Sequence, residues 1–136
     1  LIIGKTDTMP DSDSSKSSHP FAELLGMEVI SCADGKSVSS LPFDPKLDNP
    51  NKVVHGGAIY SLADTCMGAA VFSLLEKGER CATIEIKMTY LSPAGTNDLM
   101  SRSVVLKKGR RVAMVESEVF SDGQLVAKAS GSFALF

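Results

Sequence analysis

The stretch VVHGGAIYSLADTCMGAAVFSLL, Val53 to Leu75, carries a single formal charge, Asp64, in an otherwise uncharged and largely apolar run. An ionised carboxylate taken out of water without a partner is costly unless it is neutralised or hydrogen-bonded. The run must therefore either let Asp64 reach solvent or hold it for a task. As a membrane span it fails: the charge sits centrally, Gly56-Gly57 interrupts the start, and no basic cluster flanks it. A buried helix of about five turns remains, with Gly78 as its expected C-cap. Positions three and four apart share a helix face. Gly57, Ser61, Asp64, Thr65 and Gly68 then form one narrow stripe of small and polar residues. Ile59, Leu62, Ala63, Cys66, Ala69, Ala70 and Val71 cover the remainder.

One such helix needs a partner layer, and the rest of the chain reads as strand. Phe21–Gly26 reads as a short helical turn that ends at its glycine. Met27–Phe43 reads as two strands joined at Asp34-Gly35, and Asp44–Lys52 as a loop rich in Pro, Asn and Asp. After the helix, Ala82–Tyr90 alternates, with Ile84, Ile86, Met88 and Tyr90 on one face and Thr83, Glu85, Lys87 and Thr89 on the other. Leu99–Lys108 is a further strand, and Gly109–Phe120 and Gln124–Phe136 are two more, joined at Asp122-Gly123. The fold class is α+β: one long central helix wrapped by a curved antiparallel sheet. The other sheet face still needs cover, which predicts at least a dimer.

Length and composition agree with one ordinary domain. The chain has 136 residues, 43% apolar and 22% charged, with net charge −2, so neither disorder nor a nucleic-acid footprint is indicated. Three scattered cysteines, without C-x-x-C spacing, argue against a disulfide framework or a structural zinc site and for a reducing, cytoplasmic setting. No metal is expected. Residues 1–20, rich in Ser, Asp and Pro from Lys5 onward, read as a disordered tail without the regions of a signal peptide. The domain is then 21–136.

Two features of the helix suggest chemistry. The first-turn N–H groups lack intrahelical partners, and at Gly56 and Gly57 no Cβ blocks a ligand's approach to them. Such donors can stabilise an oxyanion by roughly 2.7–4 kcal/mol each, although a Gly pair equally suits a tight turn into a helix. Asp64 lies eight residues beyond Gly56, about 12 Å along the axis, so one carbonyl cannot touch both. Two antiparallel copies of the helix packed across a dimer axis would bring Asp64 of one chain to Gly56 of the other.

At these residues the sequence resembles the hotdog-fold acyl-CoA thioesterases of the PaaI-like, phenylacetic-acid-degradation type. The matching pattern is Asn49, then His55-Gly56-Gly57, SLAD ending at Asp64, TIEIKMTYLSP, and VVLKKGRRVAMVESEVFSDGQLVAKASGSF, covering Phe21 to Phe136. The resemblance implies a hotdog fold, dimers pairing into a homotetramer, and hydrolysis of aryl- or fatty-acyl-CoA. It implies Asp64 as general base or nucleophile and Gly56 N–H as the group that polarises the thioester carbonyl. Asn49 would hold the carbonyl or the lytic water, His55 would shape the same corner, and Thr83 would position water. Gly57, Ser61 and Gly68 would flank the substrate. Tyr90, Ser92 and Pro93, with Lys107, Arg110 and Arg111, would meet the coenzyme A part, though a solvated hairpin tip explains those cations equally well. Coenzyme A belongs to the substrate, and no cofactor is implied. A thiolate leaves from a thiol of pKa about 8.5, so no strong general acid is needed.

Two other readings are open. Asp48 to His55 partly matches the Asp-x-Asn-Pro-x-His element of hotdog hydratases and dehydratases, but here His follows Pro by five residues and the helix carries an additional acid. A non-catalytic acyl-CoA-binding module is the other, yet the first 20 residues offer no helix-turn-helix effector, and a binder has little use for Asp64 facing a cleft.

Overall fold

The computed structural model describes residues 1–5 and 19–136. Among the described residues, seven strands form one antiparallel sheet around one long helix. In chain order they are β1 (Ile2–Gly4), α1 (Pro20–Leu25), β2 (Glu28–Ala33), β3 (Lys36–Leu41), α2 (Gly56–Phe72), β4 (Arg80–Tyr90), β5 (Leu99–Lys108), β6 (Val112–Ser121) and β7 (Gln124–Leu135). The sheet order is β1-β4-β7-β6-β5-β3-β2. The wrapped single helix is the hotdog arrangement.

Local chemistry explains the turns. Asp34-Gly35 and Asp122-Gly123 both take positive φ at both residues (50° and 74°, 49° and 74°), the twist that a two-residue hairpin needs. Gly26 closes α1 in the left-handed region, its N–H bonding back to Glu23 O. The helix α2 lies against the concave sheet face, with Leu62, Ala63, Cys66, Met67, Ala70 and Val71 fully buried. Opposite them stand Leu41, Leu99, Val115, Val119 and Phe133.

A seam of small polar residues lets the helix approach β3, β5 and β6 closely. Ser37 Oγ donates to Cys66 O at 2.5 Å, and Cys66 Sγ reaches Ser101 O at 3.3 Å. Behind them Ser117 Oγ shares hydrogen bonds with Ser101 (2.8 Å) and Ser103 (2.9 Å). These hydroxyls are buried but paired, which removes most of their desolvation cost.

Three sequence expectations need correction. Ile2–Gly4, expected in the tail, is strand β1, paired with Arg80–Ala82 of β4. The reason is a free strand edge beside α2 that these residues cover, with Ile3 packing on the core. The rest of the expected tail, residues 6–18, lies outside the described residues, and Pro20 already belongs to α1. Gly78 does not cap α2. The helix stops at Phe72, where Ser73 Oγ donates to Ala70 O and accepts from Gly35 N, and Gly78 sits in the following turn at φ 84°. Finally, β4 does not alternate throughout, because Ile84 is a bulge between Thr83 and Glu85.

Candidate active site

The bulge decides where Thr83 points. Thr83 pairs with Phe133, and Ile86 and Met88 pair with Gly131 and Ala129, so the inserted residue puts Thr83 on the helix side together with them. Strict alternation would have sent it outward. A bulge shifts the side-chain phase by one residue and re-aims what lies beyond it. Here Thr83 Oγ1 donates to Asp64 Oδ1 at 2.8 Å, while Ile84 is 54% exposed.

Asp64 sits mid-helix with its side chain 23% exposed. Its Oδ2 lies 3.8 Å from the Leu1 nitrogen and accepts no hydrogen bond among the described residues. The carboxylate is thus hydrogen-bonded through one oxygen, while the other is ion-paired with the Leu1 amino group and keeps its hydrogen-bonding capacity among the described residues. Along the same outward face run Gly57, Tyr60 and Ser61, the last of which bonds back to Gly57 O at 2.8 Å. Thr65 and Gly68 of the expected stripe are buried.

The start of α2 forms the second centre. His55 is the N-cap: its Nδ1 accepts from Gly57 N at 2.8 Å, and its carbonyl accepts from Ala58 N at 2.9 Å. Those bonds consume the neighbouring donors. Among the described residues no acceptor takes the Gly56 N–H. Tyr90 OH donates to Gly56 O at 2.8 Å, and a Cβ at Gly56 would come within 3.2 Å of the phenol, so glycine is what lets the ring close on the helix start.

An open cleft of about 390 Å³ adjoins this corner, lined by Asn49, Val54, Gly56, Ile59, Tyr90, Ser92 and Pro93 among others. Asn49 Oδ1 accepts from Asn51 N at 2.8 Å, which shapes the loop before the helix. The structure therefore gathers Asn49, Gly56, Tyr90, Ser92 and Pro93 in one place and Asp64 with Thr83 in another. Within one protomer it does not bring Lys107, Arg110 and Arg111 to the cleft. Arg110 and Arg111 stand in the β5–β6 connection and Lys107 at the adjoining end of β5, where Lys108 pairs with Glu79 at 2.6 Å and Leu135 N meets Arg111 O. That is the Arg80 end of β4, about 33 Å along the strand from Tyr90.

Tyr60 was missed in the sequence reading. It lies one turn before Asp64 on the exposed side of α2, its hydroxyl 3.4 Å from Ile86 O. Burial raises its pKa, with the charges of Asp64 and Glu85 adding to that, so it remains a proton donor at neutral pH. Tyr90 is raised likewise, by burial and then by Tyr60. The i, i+4 spacing to Asp64 was the available signal, hidden because an aromatic in an apolar run reads as core.

Among the described residues no group of three or more His, Cys, Asp or Glu side chains could hold a metal ion. No described helix is long and apolar enough to cross a membrane.

Comparison with known proteins gives this geometry a family. Residues 51–128, more than half of the chain, match the thioesterase superfamily model. A conserved protein of Pseudomonas aeruginosa has a similar structure, with a TM-score of 0.82, 36% identity, and coverage of 88% of this chain and 95% of that one. A variant of the phenylacetic acid degradation protein PaaI of Thermus thermophilus superposes with a TM-score of 0.78 at 29% identity, covering 85% of this chain and 97% of its own. Human acyl-coenzyme A thioesterase 13 is 28% identical over 113 residues, 82% of this chain and 76% of that protein. The chain belongs to the thioesterase superfamily, as a hotdog-fold thioester hydrolase of the PaaI-like kind.

Proposed function

We propose that the protein hydrolyses acyl-CoA thioesters, with Asp64 as the catalytic carboxylate and the Gly56 N–H as the oxyanion donor. The observation that carries this reading is the anchoring of Asp64: Thr83 holds Oδ1 at 2.8 Å while Oδ2, ion-paired with the Leu1 amino group at 3.8 Å, accepts no hydrogen bond among the described residues. In the general-base form, Oδ2 takes a proton from water as the water oxygen attacks the thioester carbon. The negative charge gathers on the carbonyl oxygen, where Gly56 N–H receives it, and the C–S bond then breaks to release the coenzyme A thiolate. In the nucleophilic form Asp64 attacks directly, and water cleaves the resulting anhydride.

Asp64 and Gly56 of one chain are about 12 Å apart along α2, so the reaction needs a partner's helix start. Beyond Thr83 the outer edge of β4 pairs with no strand among the described residues, and Ile84, Tyr60 and Tyr90 are exposed beside it. An unpaired edge with apolar neighbours favours strand addition from a second copy. Antiparallel pairing of two β4 edges would set the helices antiparallel and carry the partner's Lys107, Arg110 and Arg111 toward the Tyr90 end, where coenzyme A phosphates can use them. Such dimers would pair into a tetramer. Asn49 and His55 would frame the carbonyl, and Gly57, Ser61, Ser92 and Pro93 the thioester's surroundings. Coenzyme A enters as part of the substrate, in a cytoplasmic setting suited to three free cysteines.

Thiol release from a panel of aryl- and fatty-acyl-CoAs, with wild type beside Asp64→Asn, tests the proposal. The variant is expected to lose about 10²–10⁴ in kcat with its oligomeric state unchanged. A wild type that binds the esters but releases no thiol, or an equally active variant, refutes it.

A further inference from the structure

Strand β1 crosses the edge of β4 where Thr83 reaches Asp64. Thr83 donates its backbone N–H to Leu1 O at 2.9 Å, so one residue holds the carboxylate by its side chain and the strand by its backbone. Further bonds fasten the segment behind: Lys5 N to Glu79 O at 3.0 Å, Gly78 N to Lys5 O at 3.3 Å, and Lys5 Nζ to Leu75 O at 2.9 Å. The side chains of Leu1 and Ile3 lie on α2 over Gly68. A Cβ at Gly68 would overlap the Leu1 Cδ2 methyl and come within 3.2 Å of Ile3 Cδ1. Gly68 is one turn beyond Asp64, about 6 Å along the axis, and the Leu1 nitrogen is 3.8 Å from Asp64 Oδ2. The Leu1 amino group thus faces the carboxylate, and one turn further along α2 the side chains of Leu1 and Ile3 form an apolar wall over Gly68.

We infer that Leu1 and Ile3 form the end wall of the acyl pocket and set the size of the acyl group; this rests on Asp64 being the catalytic carboxylate of a thioesterase. An acyl-CoA has two unlike halves. The amides and phosphates of coenzyme A need donors, cations or water, and Leu1, Ile3 and Gly68 supply no polar side chain, whereas an alkyl or aryl group loses nothing by meeting them. The thioester carbon must lie against Asp64, so the first acyl carbons lie there too, and a chain continuing along the helix meets Leu1 after one turn. A short or aromatic acyl group ends before the wall. A long linear chain has to displace β1. Gly68 is required by the same arrangement, since it leaves the space that Leu1 fills.

The test is kcat/KM by thiol release for butyryl-, hexanoyl-, decanoyl-, dodecanoyl- and phenylacetyl-CoA on wild type, Leu1→Ala/Ile3→Ala and Leu1→Phe, with folding checked by circular dichroism. A methylene in an apolar pocket changes kcat/KM by about 10–200-fold. The wild type is expected to favour hexanoyl- and phenylacetyl-CoA over dodecanoyl-CoA, the double alanine variant to raise the dodecanoyl-to-hexanoyl ratio by about tenfold or more, and Leu1→Phe to lower it. A wild type that prefers dodecanoyl-CoA, or a ratio unmoved in both variants while hexanoyl-CoA is still hydrolysed, overturns the wall and leaves the thioesterase reading standing. If the wild type hydrolyses none of the esters, that reading falls and takes the wall with it.

Discussion

The helix α2 presents polar contacts on two sides, and the two sides use them differently. Toward β3, β5 and β6, Ser37, Cys66, Ser101, Ser103 and Ser117 are buried and bonded to one another or to backbone, Ser39 Oγ being the exception. Toward β4 and solvent, among the described residues, Asp64 Oδ2 accepts no hydrogen bond, though the Leu1 amino group lies 3.8 Å away, and the Gly56 N–H is untaken. Polarity is common to both sides; unspent hydrogen-bonding capacity belongs to one. A satisfied buried hydroxyl fixes where the helix sits. A half-satisfied carboxylate on an exposed face is held in place and still free to react.

The comparison is broken or sharpened first at Asp64, where the loss of about 10²–10⁴ in kcat should come without loss of thermal stability. Thr83 comes next. Thr83→Ala removes a hydrogen bond to a charged acceptor, an interaction worth about 1.5–3 kcal/mol, so kcat should fall by about 10–100-fold. Thr83→Ser should restore most of it, and the KM for hexanoyl-CoA should change little. A variant that lowers the melting temperature but not kcat would make Thr83 a packing residue like the serines across the helix. Ser117→Ala probes that other side. It leaves Ser101 and Ser103 short of a partner and should cost about 1–3 kcal/mol in urea unfolding, with kcat per folded molecule unchanged. Activity lost at full stability would erase the distinction between the two sides.

These sites were unequally legible in the sequence. Asp64 announced itself because a charge inside an apolar run is costly and therefore conspicuous. The hairpins were legible from Asp-Gly pairs, whose backbone preference is local. The orientation of Thr83 was not legible from alternation, because the bulge at Ile84 is a property of pairing with β7 and leaves no mark in β4 alone. Only the resemblance assigned Thr83 a role. Strand β1 was invisible for a related reason: three residues ahead of a polar segment carry too little pattern, and their partner is the β4 edge nearly 80 positions away. Gly78 misled because a glycine after an apolar run is a common helix stop, while Ser73 ended this helix earlier through a hydrogen bond from the β2–β3 turn. Local rules read what local energetics decide, and the phase of β4 is decided elsewhere.

The smallest effect separates the two sides by pH. Burial, reinforced by Cys66, raises the Cys32 thiol above its ordinary value despite Lys5 and a Ser73 hydrogen bond that oppose it, and burial likewise raises Cys81. Each thiol keeps its proton in the folded chain to a higher pH than in the unfolded one. Above the ordinary thiol value, about 8.5, the unfolded state therefore binds fewer protons, and stability is complete below that value and declines as pH rises through the folded one. Urea unfolding from pH 7 to 10 should show this decline, weaker in Cys32→Ala. Iodoacetamide at pH 8 should label Cys32 and Cys81 more slowly than free cysteine, since the thiolate is the nucleophile. Labelling of Cys32 at the free-cysteine rate would mean that this thiol, which donates to Ala69 O of α2, is open to solvent, and that the inner side of α2 shares the exposure that leaves Asp64 available on the outer one.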